Sequence, residues 1–368
     1  MNVVKIQAFA LVVALTMALA NCANGIELPE ENEVDKDDVL VGVTYFAGWW
    51  EPLPNKWHVP ADTDWRPLFP ERVPLLGEYN DQETMNREII AASEHGIDFF
   101  ITLWYYNEEG EEREPNSRFL ERGLTKFVAS PEAHRMQFMI EYCNHPPYTV
   151  ETEAHWEECI DTWLEFFAHP SHLRIDDKLV FKVHSFHFFI QESGGIEEGR
   201  QRLERLREAV RDAGLGEMLI GAGVMSQEAV GEGHPATELF DFTGTYMDVP
   251  QLEPKDEDYP YEMLAEQSEQ GRRIHAEDAI PYVPYLAAGW NPRPWRDPRP
   301  AFELPNREQW TAALEKMKAD VLEHDMLGFP GQNAFIIYAW NEYGEGGFIA
   351  PTEGDGYMKL EAIQEVFD

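Results

Sequence analysis

Positive charge is scarce in this 368-residue chain: 29 Lys and Arg stand against 68 Asp and Glu, a formal charge of −39 at pH 7. That balance excludes nucleic acid and anionic membrane surfaces as partners, because both bind through positive protein surface. A local Arg or His pocket for an anionic group is still allowed. Cysteine is rarer still. Cys22, Cys143 and Cys159 are compatible with export, and the last two either pair or stay as buried thiols. Beyond Ala20 no apolar run is long enough to span a bilayer. No GxGxxG or Walker-type loop follows any strand-like segment, which removes the usual dinucleotide and P-loop folds. No HExxH or GxSxG occurs, which disfavours a zinc protease and a Ser-His-Asp hydrolase. No 20–50-residue repeat and no Pro/Ser-rich internal linker breaks the chain. What is present is 43% hydrophobic residues and 12% aromatics, including 11 Trp, enough for one large packed core.

The opening MNVVKIQAFALVVALTMALANCANG carries one charge, Lys5, followed by an apolar run from about Ala8 to Ala20. This is the layout of a secretory signal peptide. Leu19-Ala20-Asn21-Cys22 also resembles a bacterial lipobox, in which the cysteine is lipidated and becomes the new N-terminus. Cleavage near Ala20 without lipid is the alternative. The expected division is a leader over 1–21, an acidic tether over 22–38 and a folded body over 39–368.

Within that body short β-rich runs alternate with amphipathic stretches. Strands are expected at Val39–Phe46, Gly96–Trp104, Met136–Tyr142, Leu179–Ser185, Met218–Val224, Phe242–Tyr246, Tyr282–Ala287 and Ala334–Trp340. Most are apolar at nearly every position, as parallel strands covered on both faces must be. Helices are expected between them at Gln82–His95, Ser117–Ala129, His155–Phe167, Glu197–Ala213, Tyr261–Glu277 and Arg307–His324. Eight strands alternating with helices predict an α/β fold, a single (β/α)8 TIM barrel.

Such barrels carry their chemistry at the C-terminal ends of the strands. Aromatic and hydrogen-bonding residues recur there: Tyr45, Trp49 and Trp50 after the first strand; Trp104 and Tyr105 after the second; Glu141 and Asn144 after the third. His184 follows the fourth, Tyr246 the sixth, Trp290, Asn291 and Arg293 the seventh, and Asn341 and Tyr343 the eighth. Sugars present C–H faces that stack on rings and hydroxyls that need polar partners, so these are the candidate substrate-binding residues. Core packing is the competing reading for each aromatic. Glu342 and Glu345 follow the apolar run AFIIYAW and are the candidate catalytic pair, because glycosidic cleavage generally needs two carboxyl groups. Glu141 could join either set. Asp98 reads as structural, and Arg293 could orient a sugar or make a loop ion pair. His184 and His187 lack the companions of a metal site, so no metal and no cofactor is expected.

Four segments resemble the glycoside hydrolase family 99-like group that includes the WbsX-type proteins. They are VGVTYFAGWW (41–50), LLGEYNDQETMNREIIAASEHGIDFFITLWYY (75–106), GWNPRPWRD (289–297) and FIIYAWNEYGEGGFIAPTEGDGYMKLEAI (335–363). The resemblance implies a barrel enzyme that cleaves α-mannosidic bonds within a chain and retains the anomeric configuration. Carried over, Glu342 would be the base assisting the substrate's 2-hydroxyl. Glu345 would be the acid that protonates the leaving oxygen and then the base that activates water. Tyr343-Gly344 stands between them here, where relatives have Trp-His or Trp-Ala. The expected function is an exported retaining glycoside hydrolase acting on an α-linked oligo- or polysaccharide. Its only membrane contact would be a lipid at Cys22. A non-catalytic carbohydrate-binding surface lipoprotein and an accessory protein of polysaccharide biosynthesis are the alternatives.

Overall fold

The computed structural model describes residues 38–51, 55–60, 63–108, 113 and 116–367. The expected leader, nearly all of the tether and Cys22 lie outside the described residues. Eight parallel strands form the centre: β1 (Leu40–Tyr45), β2 (Phe99–Trp104), β3 (Gln137–Tyr142), β4 (Lys178–Val183), β5 (Met218–Gly223), β6 (Phe242–Gly244), β7 (Tyr282–Val283 and Tyr285–Ala287) and β8 (Gln332–Tyr338). They pair in sequence order, and β8 pairs with β1. Closure runs through β7. Its first half pairs with β6 and its second half with β8, and the interruption at Pro284 still leaves that carbonyl accepting from Ile336 N–H at 2.8 Å. The barrel is therefore closed, as expected from the alternation.

Helices α1 (Gln82–Ser93), α2 (Arg122–Val128), α3 (Glu153–Phe167), α4 (Phe186–Ser193), α5 (Ile196–Asp212), α6 (Ala236–Leu239), α7 (Tyr261–His275), α8 (Arg307–Glu323) and α9 (Met358–Phe367) connect and close the strands. Side-chain caps start several of them. Asp81 accepts from Thr84 N–H ahead of α1, and Asn306 forms a reciprocal capping box with Gln309 ahead of α8. α4, α6 and α9 were not expected from the sequence. Among the described residues no helix is long and apolar enough to cross a membrane. Cys143 and Cys159 are separate buried thiols.

Alternation along each strand decides what faces the barrel interior. Phe99, Ile101, Met139, Val180, Leu219, Phe242, Val283 and Ile336 form a dry lower layer. One step further along β3 and β4 the same parity reaches Glu141 and Lys182, which are register partners. One step beyond stand Cys143, His184 and Tyr246, at the wall of a cavity. The interior thus changes from apolar to ionic to open as the strands approach their C-terminal ends.

Candidate active site at the mouth of the barrel

The two glutamates ride on a tight hairpin that begins just past β8. Trp340 N–H donates to Thr44 O at 2.7 Å. The chain then forms β9 (Asn341–Glu342), antiparallel to β10 (Gly347–Phe348), with Glu342 opposite Gly347. In the turn Glu345 N–H donates to Glu342 O at 3.1 Å, and Asn291 N–H donates to Glu345 O at 2.5 Å. Gly346 has φ +78° and its Cα lies against the Asn291 backbone, so a side chain there meets both a left-handed conformation and a clash. Asn341 fixes the hairpin to the end of β1: its carboxamide accepts from Phe46 N–H at 2.8 Å and donates to Phe46 O at 2.7 Å. Gly344 leaves its outer face to the Trp295 ring, which occupies the space a Cβ would take.

Both glutamates open into a cavity of about 210 Å³, below the ~300–1,000 Å³ of sites for drug-sized ligands. Phe46, Lys56, Leu103, Tyr105, Cys143, His145, His184, Tyr246 and Trp295 complete its wall. Glu342 is 4% exposed. Its Oε1 accepts from Tyr246 O–H at 3.2 Å, and its Oε2 has no partner among the described residues. Burial, and then the charge of Glu345, push the Glu342 carboxyl well above its ordinary range. Glu345 is less buried and accepts a short hydrogen bond from Tyr338 O–H. Burial raises its proton affinity too, against the opposing effects of Tyr338, Arg299 and Lys56. With two carboxyls on one cavity, ionisation of Glu345 further disfavours ionisation of Glu342.

The opposite wall has a different electrostatic character. Burial by itself would raise Glu141, but the Lys182 ammonium at 2.9 Å and His184 Nδ1 at 2.6 Å hold its carboxylate down at about 2. Glu141 therefore stays ionised beneath the cavity, and His184 presents its other ring edge above it. Among the described residues no group of three or more His, Cys, Asp or Glu is arranged to hold a metal ion.

Of the residues expected at this rim, Tyr105, His184, Tyr246, Glu342 and Glu345 line the cavity. The others do not, for identifiable reasons. Tyr45 and Trp104 have outward parity: Tyr45 O–H donates to Glu88 on α1 at 2.7 Å, and Trp104 packs edge-on against Trp163 of α3 at 5.2 Å. Trp49 and Tyr343 belong to a buried aromatic stack around Trp57, and Trp50 packs on Phe119. Glu141 lies under His184 and reaches the cavity only through it. Asn144 clamps the Ser185 backbone in both directions, at 2.9 and 2.8 Å, as Asn341 clamps Phe46. Asn291 and Arg293 both bond Asp258, at 2.8 and 2.6 Å. Trp290 is buried under the Arg299 guanidinium, 4.4 Å from its ring centre. Asp98 accepts from Val41 N–H at 2.7 Å, a structural role. His187 is an exposed partner of Glu228. Lys56, Trp295, His145, Phe46 and Tyr338 complete the site without having been expected there. Trp295 lay within the quoted GWNPRPWRD segment, and Tyr338 has the same inward parity as Ile336.

The family model described as Glycosyltransferase WbsX matches residues 66–363, a span that takes in β2 to β8 and the glutamate hairpin. The chain belongs to the WbsX family. No curated protein matches it by sequence. Among solved structures, this WbsX protein is similar to a "Glycoside hydrolase-like protein", with a TM-score of 0.59 and 14% identity over 91% of this chain and 95% of that one. It is also similar to a GH99 endo-alpha-mannosidase from Bacteroides thetaiotaomicron, with a TM-score of 0.54 and 13% identity over 89% of this chain and 95% of that one. The same enzyme in complex with bis-tris-propane gives a TM-score of 0.53 and 14% identity over 89% and 96% of the two chains. At these identities the likeness establishes a common barrel fold. β1 and the Lys56 loop precede the matched span of the WbsX family.

Proposed function

We propose that this WbsX protein is a retaining glycoside hydrolase acting on α-linked glycans, with Glu342 and Glu345 as its catalytic groups. One observation carries the reading: two buried carboxyls share a small cavity at the barrel mouth, each with raised proton affinity and each bonded to a tyrosine hydroxyl. A binding protein has no need to keep two mutually repelling carboxyls together in one small cavity. In the first step the Glu342 carboxylate takes the proton of the sugar 2-hydroxyl, and O2 attacks C1. The C1–O bond breaks as Glu345 delivers its proton to the leaving oxygen, giving a 1,2-anhydro sugar. In the second step Glu345 takes a proton from water, whose oxygen attacks C1. The C1–O2 bond breaks and Glu342 returns the proton to O2. Two inversions at C1 give net retention.

The family's description supports a second reading, in which the same pair transfers a glycosyl group to a sugar acceptor. NMR on fresh digests of α-mannan and other α-linked glycans separates the two. Hydrolysis with retention predicts α-anomeric reducing ends as the first product. First-formed β-anomers exclude the 1,2-anhydro route, and glycosyl transfer from a nucleotide sugar without reducing-end release supports the second reading.

We also propose that the protein works outside the cytoplasm, anchored through Cys22, a reading supported by the leader-like N-terminus. Metabolic labelling with palmitate should mark the wild type and be lost in Cys22→Ala. Unlabelled wild type in the medium means free secretion instead.

A further inference from the structure

Lys56 makes no ion pair among the described residues, yet it lines the cavity that holds Glu342 and Glu345. Its backbone is held firmly. It opens a single helical turn, Lys56–His58, capped by Asn55, whose side chain accepts from Trp57 N–H at 3.1 Å and donates to Trp50 O at 2.9 Å. Trp65 Nε1–H donates to the Lys56 carbonyl at 3.0 Å. The side chain then reaches the catalytic cavity, where its ammonium lies 5.6 Å from the Trp295 ring centre and 5.9 Å from that of Phe46. No acidic oxygen among the described residues stands within ion-pair distance of it. The deeply buried cations elsewhere do have such partners: Lys182 with Glu141 at 2.9 Å, Lys359 with Asp355 at 3.2 Å, Arg202 with Glu153 at 2.8 Å, and Arg272 with Asp320 at 2.8 Å. Lys126, Lys255 and Lys318 also make no ion pair among the described residues, but Lys56 is the lysine whose side chain lines the cavity of Glu342 and Glu345.

We propose that Lys56 receives an anionic substituent of the substrate, a carboxylate or a sulfate ester on the sugar bound in this cavity. An ammonium flanked by two aromatic faces and partly withdrawn from water pairs strongly with such a group. The glutamates do not forbid it. Lys56 already opposes the rise in proton affinity of both, so its charge acts on the pair before substrate arrives. His184 adds a ring edge on the far wall, its Nδ1 already committed to Glu141 at 2.6 Å. The proposal rests on the glycoside hydrolase reading and narrows its substrate class from α-linked glycans to acidic ones.

The test uses matched substrates with the 1,2-trans arrangement that attack by O2 requires: an α-mannan oxidised at C6 to its mannuronide against the parent mannan, and a sulfated α-rhamnan against its desulfated form. Wild type should prefer one of the charged members by about tenfold or more in kcat/KM, the scale of one charge-assisted hydrogen bond. That ratio should collapse in Lys56→Gln and largely survive in Lys56→Arg. Because it is a ratio, loss of folded protein does not alter it. Equal rates on both members, or a parallel fall on both in Lys56→Gln, would overturn the proposal and leave Lys56 as a charge balance for the glutamates. Calorimetry with mannuronic acid, mannose 6-sulfate and mannose reads recognition without turnover. Lys56-dependent binding of an acid with no cleavage of any glycan would sink the hydrolase reading while keeping this one. Cleavage of neutral glycans with no preference for acids would do the reverse.

Discussion

Glu345→Gln should lower turnover of an unactivated α-glycan by about 10²–10⁴-fold, the contribution of a positioned general acid. KM should change little, because the amide keeps the size of the carboxyl and can still meet the Tyr338 hydroxyl. The two glutamates should then part company on activated substrates. A glycosyl fluoride or dinitrophenyl glycoside needs no proton on its leaving group, so Glu345→Gln should recover much of its first-step rate there. Glu342→Gln should not, since the 2-hydroxyl still has to lose its proton. Burial raises Glu342 more strongly than Glu345, which on proton affinity alone would make Glu342 the acid. The less buried Glu345 is better placed to meet a leaving group entering from solvent, and this argument together with the family resemblance favours it. Rescue of Glu342→Gln instead of Glu345→Gln would exchange the roles. Near-wild-type turnover in both variants on a confirmed substrate would remove the pair from the chemistry.

The barrel was legible because its strands are buried on both faces and its helices on one, and both facts leave periodic traces. All eight expected strands overlap the observed ones; β4 and β8 begin one and two residues before the expected starts. The three missed helices lacked that trace: α6 is four residues long, too short to show a period. α4 reads FHFFIQES, too apolar and too close to the end of β4 to look amphipathic, and α9 lies inside the closing motif, where attention falls on the glutamates.

The site was legible in part, and strand parity explains the division. His184 and Tyr246 continue the inward-facing series of β4 and β6. Tyr45 and Trp104 are equally close to strand ends but point the other way, into the helix layer. Reading strand ends without parity therefore gathers core aromatics along with cavity walls. Asn144, Asn291 and Asn341 illustrate a second limit. A carboxamide at a strand end can bind a sugar or clamp a neighbouring loop, and only the partner's position in space distinguishes these. Lys56 was invisible for the opposite reason. It sits in a loop with no periodicity, and its meaning comes from the cavity that its side chain reaches.

Lys182→Met should cost about 3–5 kcal/mol at neutral pH, the effect of stranding one member of a buried ion pair. Lys182 and Glu141 are register partners on adjacent strands, with side chains 1% and 2% exposed, so water cannot replace the lost ammonium. The pH dependence should change as well. In the wild type Glu141 is held at about 2, below its ordinary 4.5. Its contribution is therefore fully present above pH 4.5 and is lost as pH falls through 2. Without Lys182, burial dominates and moves the carboxyl above 4.5, so in the variant stability declines as pH rises past that value. The gap between the two proteins should widen from acid to neutral pH in denaturant titrations. Adding Glu141→Gln to Lys182→Met should restore much of the loss, because no buried charge then lacks a partner. A double variant no more stable than Lys182→Met, with a gap insensitive to pH, would mean that the lysine acts through packing alone. The restored double variant would also expose what the ion pair does for the cavity. Glu141 holds His184 through its Nδ1–H, and a glutamine offers a weaker acceptor. Any remaining loss of substrate binding at full stability would then report the orientation of that imidazole.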